Sequence, residues 1–400
     1  MPEAVIVSTA RTPIGRANKG SLVDCRPDDL TAHIIKAALG KVPQLDPQSI
    51  DDVITGCGQP GGESGYNVAR VAAILAGMPD VPGVTVNRYC SSSLQGIRMA
   101  AHAIKAGEGD AFVCAGVETV SRFQFGAADT GPRNPQFAEA TERSKERSNG
   151  ASSWEPPAGL PDIYIAMGQT AENVRLAENV GRQEMDEFAA RSQQLAVESQ
   201  KNGFFEREIV PVTLPDGTVV AKDDGPREGT TAEKLAELKP VFRPDGEVTA
   251  GNACPLNDGA AAVIVMSDTK ANELGITPLA RIVASGVSGL NPEIMGLGPI
   301  EACRQALARA GMTIDEIDLV EINEAFAAQV IPSAKHLGIP WEKLNVNGGS
   351  IALGHPFGMT GSRIMTTLLN GLEDADKRFG LESMCVGGGQ GMAMIVERLN

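Results

Sequence analysis

The sequence predicts an α/β protein of two similar halves, the first of which carries a long insertion. Three observations predict it. Residues 1–120 alternate short apolar runs with segments of helical spacing. Between about 120 and 250 the chain turns polar and irregular, with one strong helical stretch. From about 275 the first pattern returns, and several short motifs recur in the same order. An alternation of this kind builds a sheet covered by helices.

The elements follow in order. AVIVST (4–9) reads as a short buried strand. In 28–40, Leu30, Ile34, Ile35 and Ala38 share one helical face, and Gly40 marks the end. DDVITG (51–56), VTVN (84–87) and AFVCAG (111–116) read as buried strands. Between the last two, Leu94, Ile97, Ala101 and Ile104 line one face of a helix. The stretch 140–162 is rich in charge, Ser, Pro and Gly, whereas 185–203 has helical periodicity. The second half then echoes the first. IDDVITG (50–56) matches IDLVEIN (317–323), and GVTVNRYCSSS (83–93) matches KLNVNGGSIAL (343–353), where LNVN reads as a strand. AFVCAGVE (111–118) matches SMCVGGGQG (383–391). The expected organisation is a first half of residues 1–120 plus 251–274, an insertion at 121–250, and a second half at 275–400. Two such halves meet around a pseudo-twofold axis. Their matching strand ends then bring the turns of Cys90, His355 and Cys385 together.

Composition removes several function classes. Acidic residues number 50 against 35 Lys plus Arg, a formal net charge of −15. Nucleic acid and anionic membranes repel such a chain. The longest clean apolar run, AAAVIVM (260–266), falls far short of the ~20 residues a bilayer requires. MPEAVIVSTA has no basic leader and reads at once as a strand, so no signal peptide is expected. The seven cysteines stand singly at 25, 57, 90, 114, 254, 303 and 385, with no CxxC. Neither a disulfide framework nor a metal site is expected, and reduced thiols fit the cytoplasm. GCGQPG (56–61) satisfies GxGxxG, yet Gly62-Glu63-Ser64-Gly65 separate it from the next helix. Asp80 sits in a Pro/Gly turn rather than at a strand end, which argues against a nicotinamide site.

Chemistry concentrates in three turns. Cys90 lies between a strand and the N-terminus of a marked helix, where the dipole and free N–H groups favour a thiolate of lowered pKa. His355 sits between Gly354 and Pro356, whereas the other three histidines fall within helices. Its place in a tight Gly-rich turn suits a general base. Cys385 precedes VGGGQG, whose unhindered backbone N–H groups suit an oxyanion.

These segments, with MGQTAENV (167–174), RSQQLAVESQKNGFFEREIVPV (191–212), GNACPLNDGAA (251–261), EINEAFA (321–327), GGSIALGHPFGMTGSR (348–363) and MCVGGGQG (384–391), resemble the thiolase family over nearly the whole chain. The resemblance implies the thiolase fold: two duplicated five-stranded α/β halves in an α-β-α-β-α layering, with a loop domain inserted in the first half. It implies Cys90 as the acyl-carrying nucleophile, His355 as the base that takes its proton, and Cys385 as acid and base at the α-carbon of acetyl-CoA. Asn323 would hold a water that, with His355, stabilises the thioester enolate. The backbone N–H groups of Cys90 and Gly387 would form a second oxyanion hole.

On the same resemblance, coenzyme A is a substrate rather than a resident cofactor. Arg227 matches its adenine and phosphate side, and Leu235 falls on the coenzyme A side. Ala250 and Cys254 match the pantetheine loop, beside Ala325 and Phe326. Met167 and Met295 match positions lining the acyl pocket. The implied partners are acyl-CoA, CoA and further copies of the chain, as a homodimer or homotetramer. Two departures stand out: Ser93 replaces the usual Gly and Cys254 the usual Ser. Ser93 is expected to narrow the approach to Cys90. The competing readings are a catalytically silent acyl-CoA- or lipid-binding relative and a decarboxylating ketoacyl synthase. Intact Cys90, Asn323, His355 and Cys385 oppose the first. Cys385 opposes the second, which needs no proton shuttle there.

Overall fold

The computed structural model describes residues 2–123 and 130–400, so Met1 and residues 124–129 of the expected insertion lie outside the described residues. The first half contains β1 (Ala4–Arg11), α1 (Pro27–Gly40), β2 (Asp52–Cys57), α2 (Val68–Leu75), β3 (Gly83–Val86), α3 (Ser92–Ala106) and β4 (Ala111–Thr119). The insertion brings α4 (Met167–Glu178) and α5 (Arg182–Lys201), and β5 (Asn257–Ser267) closes the half. The second half contains β6 (Ala280–Gly289), α6 (Gly298–Ala310), β7 (Leu319–Ile322), α7 (Ala327–Leu337), α8 (Thr360–Asp374), β8 (Phe379–Val386) and β9 (Gln390–Arg398).

The strand order carries the duplication. In the first half it is β3-β2-β4-β5-β1, with parallel β3–β2 and β2–β4 pairs and antiparallel β4–β5 and β5–β1 pairs. In the second it is β7-β8-β9-β6, with a parallel β7–β8 pair followed by two antiparallel ones. A short antiparallel pairing of β1 with β6, at Val5–Arg281 and Ile6–Ala280, joins the two. The partner expected for β3 is missing. Leu344 makes a single parallel bridge to Val320, and the chain then turns at Asn345, whose φ is +46°. The reason is local. The Asn345 side chain accepts from Ile322 N–H and donates to Ile322 C=O, both at 2.9 Å, so an amide replaces the next rung of the ladder. LNVN is therefore a bridge and a turn, not a strand. β3, expected to be buried, is a half-buried edge. The helix expected at 185–203 begins three residues earlier, at Arg182.

Apolar faces stack the layers. Leu30, Ile34 and Ile35 of α1 and Ala69 and Ala72 of α2 pack on one side of the first half, against Val53 and Val113. Leu94, Ile97 and Ile104 of α3 meet Ile364, Leu368 and Leu372 of α8 between the halves, with strand residues from both sheets. α6 and α7 cover the far side of the second half through Ala302, Ala306, Val330 and Ile331. α5 joins this outer cluster through Met185 and Phe188. Close approach of α3 to α8 requires Gly361. A Cβ there would lie 2.4 Å from the Leu94 backbone nitrogen. Gly361→Ala is expected to destabilise the fold by about 1–3 kcal/mol through overpacking, read as a lower urea midpoint. An unchanged midpoint would show that these helices have room to part.

Candidate active site

Four turns converge where the strands of the two halves end. The first follows β3. Tyr89 takes φ +41°, uncommon for a residue with a side chain, and its N–H bonds to Asn87 Oδ1 at 2.8 Å. Ser92 Oγ accepts Arg88 N–H and donates to Tyr89 C=O, which closes the turn and starts α3 immediately after Cys90. Cys90 is 8% exposed, while Cys385 has no exposure at all. Cys90 thus keeps a small exposed surface and Cys385 none.

The second turn carries Cys385 at the end of β8 and leads through Gly387, Gly388 and Gly389 into β9. The backbone N–H of Gly387 and that of Cys90 both face the Cys90 sulfur. Cys385 Sγ rests 3.4 Å from the Gln329 side-chain amide. Cys90 and Cys254 are near enough that their charges would push the Cys385 thiol further up, although burial is the larger cause.

The third turn carries His355. Gly354, at φ +109°, passes directly over the Asn257 side chain, and His355 N–H donates to Asn257 Oδ1 at 2.9 Å. Gly358 crosses the ends of β2 and β4 so closely that a Cβ would lie 2.2 Å from Val117 O. The Glu118 carboxylate pins the crossing. It accepts N–H from Gly358 at 2.9 Å, and from Gly58 at 2.8 Å and Gln59 at 3.2 Å. Burial pushes this carboxyl up to about 7 despite those donors.

The fourth turn is Asn323-Glu324-Ala325-Phe326, after β7. Asn323 Nδ2 lies 3.3 Å from His355 Nε2. Buried Glu324 accepts from Ser192 of α5 at 2.6 Å, from Asn345 Nδ2 at 2.8 Å and from Ile351 N–H at 3.1 Å. It thus ties insertion and second half together behind the site.

Burial sets the charge states. His355 is lowered to about 3, first by desolvation and then by the Arg363 charge, so its ring is neutral. The Cys90 thiol is pushed up to about 11 by burial, with the two N–H groups opposing. The lowered pKa expected from the helix N-terminus is not found, because desolvation outweighs it. The resting pair is thiol and neutral imidazole, and ionisation of Cys90 requires a base.

A cleft of about 370 Å³ opens beside these turns. Arg227, Leu235, Ala250 and Cys254 line it, together with Arg16, Gln193 and Phe242. Arg227 feels the Arg16 charge, so two cations stand at this cleft in an acidic protein. Ala325, Phe326, Met167 and Met295 do not line it. Phe326 sits behind the wall, edge-on to Phe242, and Ala325 C=O accepts the Cys254 N–H at 3.0 Å. Met295 is buried and Met167 half-buried in the cluster behind the NEAF turn. Ser93 does not crowd Cys90. Its hydroxyl accepts Ser362 N–H at 2.9 Å and so points into the α3–α8 contact.

Sequence reasoning missed Glu118, Tyr89, Ser350 and Thr360. Thr360 stands five residues beyond His355, a visible spacing, and its Oγ1 lies 2.7 Å from His355 Nδ1. For Glu118 the only available signal was an acid at the end of an apolar strand.

The thiolase N-terminal domain family matches residues 4–269 and the thiolase C-terminal domain family residues 276–398. The chain is 45% identical over 408 residues to a 3-ketoacyl-CoA thiolase of Pseudoalteromonas translucida, covering both fully. It is 43% identical over 406 residues to a beta-ketoadipyl-CoA thiolase of Acinetobacter baylyi, again with full coverage of both. Among solved structures it resembles an acetyl-CoA acetyltransferase of Bacillus anthracis, with a TM-score of 0.88 and 40% identity over 100% of this chain and 99% of that one. Fold and site thus define a coenzyme A-dependent acyltransferase. The chain belongs to the thiolase family.

The resting charge state is open to test. With Cys90 at about 11, the alkylation rate of this thiol by iodoacetamide should climb about tenfold per pH unit between 7 and 9. A plateau below pH 8 would mean a preformed thiolate.

Proposed function

We propose that this thiolase cleaves 3-ketoacyl-CoA by thiolysis through an acyl-Cys90 intermediate, and that it catalyses the reverse condensation. The observation that carries the reading is the pair of thiols, Cys90 and Cys385, at one buried centre close to Cys254 of the cleft wall. Breaking a carbon–carbon bond next to a carbonyl needs a nucleophile at the ketone and a separate proton donor at the leaving carbon. His355 Nε2 takes the Cys90 proton, and the sulfur adds to the C3 carbonyl. The N–H groups of Cys90 and Gly387 receive the oxyanion. As it collapses, the C2–C3 bond breaks and its electron pair becomes a thioester enolate, held by Asn323, a water and protonated His355. Cys385 donates its proton to C2, and acetyl-CoA departs. Protonated His355 returns its proton to the Cys385 thiolate. It then takes the proton of a second CoA, whose sulfur attacks the acyl-Cys90 thioester, and passes that proton to the leaving Cys90 thiolate, so that all three groups are restored.

The cleft supports CoA binding alongside the inserted loop domain, residues 121–250, with Arg227 toward the phosphates and adenine. Leu235, Ala250 and Cys254 line the path to the thiols, and Ala325 and Phe326 back it. Met167 and Met295 close the acyl end. The names of the relatives, 3-ketoacyl-CoA and beta-ketoadipyl-CoA thiolases, support a 3-ketoacyl-CoA as the substrate class. The seven unpaired cysteines support a reducing, cytoplasmic setting. The half-buried edge β3, with exposed Ile74 and Leu75 on neighbouring α2, supports a homodimer or homotetramer. A panel of 3-ketoacyl-CoA substrates of increasing chain length, assayed for CoA-dependent cleavage, tests the reading. No cleavage of any member would sink it.

Two variants test the roles. Cys90→Ser should abolish turnover with the fold intact, because a hydroxyl is far less acidic than a thiol and His355 is a weak base. Acyl mass should be trapped on the Cys90 peptide of the wild-type protein when CoA is withheld. Cys385→Ala should lose cleavage by several orders of magnitude, while exchange of labelled CoA into acetyl-CoA falls much less. Equal loss of both in a well-folded variant would contradict the assignment.

A further inference from the structure

Arg363 of α8 is wholly buried, yet among the described residues the only hydrogen bond of its guanidinium is one from Nη2 to Ser350 Oγ, at 3.0 Å. Among the described residues its Nε and Nη1 have no partner, and neither carboxyl oxygen of nearby buried Glu382 has one. A structural arginine in a core ordinarily uses its fork on a carboxylate, as Arg11 does here with Asp223 at 2.7 and 2.9 Å. Arg363 instead spends its single bond on a hydroxyl next to the reaction centre.

That bond has a direction. A guanidinium can only donate. Ser350 Oγ, accepting from Arg363, donates its one hydrogen to Asn323 Oδ1 at 2.6 Å. With its oxygen so occupied, the Asn323 amide turns its NH2 to His355 Nε2, at 3.3 Å. His355 therefore carries its proton on Nδ1 and donates it to Thr360 Oγ1 at 2.7 Å. Thr360 passes its own hydrogen to Pro356 C=O at 2.8 Å. The chain begins at a donor-only group and ends at an acceptor-only carbonyl, so no link can reverse.

We propose that Arg363, through Ser350, is a positioning residue that polarises this relay and presents His355 Nε2 to Cys90 without a proton. The catalytic use rests on the thiolase reading above; the relay itself does not. Glu321 of β7 and Glu382 of β8 stand side by side in register and act on Arg363, as does Glu208, while Arg11 opposes them. Burial raises Glu321 to about 8 and pushes Glu382 well above the usual carboxylate range, which weakens the pull of both on the guanidinium and leaves it on Ser350.

The test is the His355 tautomer, read by ¹⁵N NMR of histidine-labelled protein at pH 7. The chain has only four histidines, and the signal is assigned as the one lost in His355→Gln. In the wild type, Nδ1 should carry the proton and Nε2 none. In Ser350→Ala the amide is free to turn its oxygen toward the ring, so the Nε2-protonated form should appear. The same variant should lose cleavage kcat by about 10- to 100-fold, below the ~10²–10³ cost of deleting an oxyanion donor, with KM for CoA changed less than twofold. Its acid limb in kcat/KM should move to higher pH. Arg363→Lys, which keeps the charge but not the fork, should fall between the two. An Nε2-protonated wild type, an unchanged tautomer in Ser350→Ala, or a cleavage rate unaffected by that change would each overturn the proposal. If the wild type cleaves no 3-ketoacyl-CoA, the thiolase reading fails, while the tautomer still decides the relay.

Discussion

The Glu118 carboxylate holds the two halves in register at the place where chemistry can occur. It receives backbone N–H groups from Gly58 and Gln59 of the first half and from Gly358 of the second. Three backbone hydrogen bonds on one buried carboxyl group fix the turn after β2 against the turn that carries His355. Cys90 starts from the adjoining strand end of the first half, so the separation of nucleophile and base depends on this contact. Glu324 performs the matching task on the other side, joining α5 of the insertion to the Asn345 and Ile351 turns. The site is thus held by two buried acidic side chains, each taking hydrogen bonds from separate stretches of chain.

Burial governs the electrostatics in one direction. It keeps the imidazole neutral, both thiols protonated, and the carboxyls of Glu118, Glu321 and Glu382 toward their acid forms. A site at rest with little ionised charge avoids the penalty of desolvating ions. Charge then arises only during the reaction, where N–H groups and the Asn323 amide already stand. Such donors need no reorganisation as the charge develops, which is the physical basis of electrostatic preorganisation.

Much of this was legible in the sequence because it is local. Strand and helix positions followed from period and glycine punctuation, and the Cys90, His355 and Cys385 turns stood out because reactive residues sat between strand ends and glycines. The duplicated pattern gave their convergence before any coordinates. What was not legible depends on long-range hydrogen bonds. No pattern within LNVN shows that the Asn345 side chain will replace a strand rung, since its partner Ile322 lies 23 residues away. The Cys90 pKa was misjudged for a related reason: helix placement is visible in sequence, whereas the depth of burial is not. The cleft was half legible: Cys254 sits in a recognisable motif and Arg227 was matched by resemblance, whereas Arg16 comes from a remote segment and nothing in the motif around Gln193 showed that its side chain reaches the cleft.

The departure from symmetry between the halves gives the site its function. Both halves share the parallel and antiparallel pairings of four strands, but among the described residues only the first keeps a fifth, β3. In the first half, β3 runs straight into the Cys90 turn and α3. In the second, the lost strand becomes the turn at Asn345, followed by a short helix at Ser350–Leu353 before the His355 turn. That extra turn of backbone brings Ser350 onto Asn323 and sets His355 off from the helix N-terminus. A second half identical to the first would place its reactive side chain at a helix start, where the dipole favours anions rather than a proton acceptor becoming a cation. One half can therefore stabilise a developing anion at Cys90 and the other can accept its proton, a division that two identical halves could not provide.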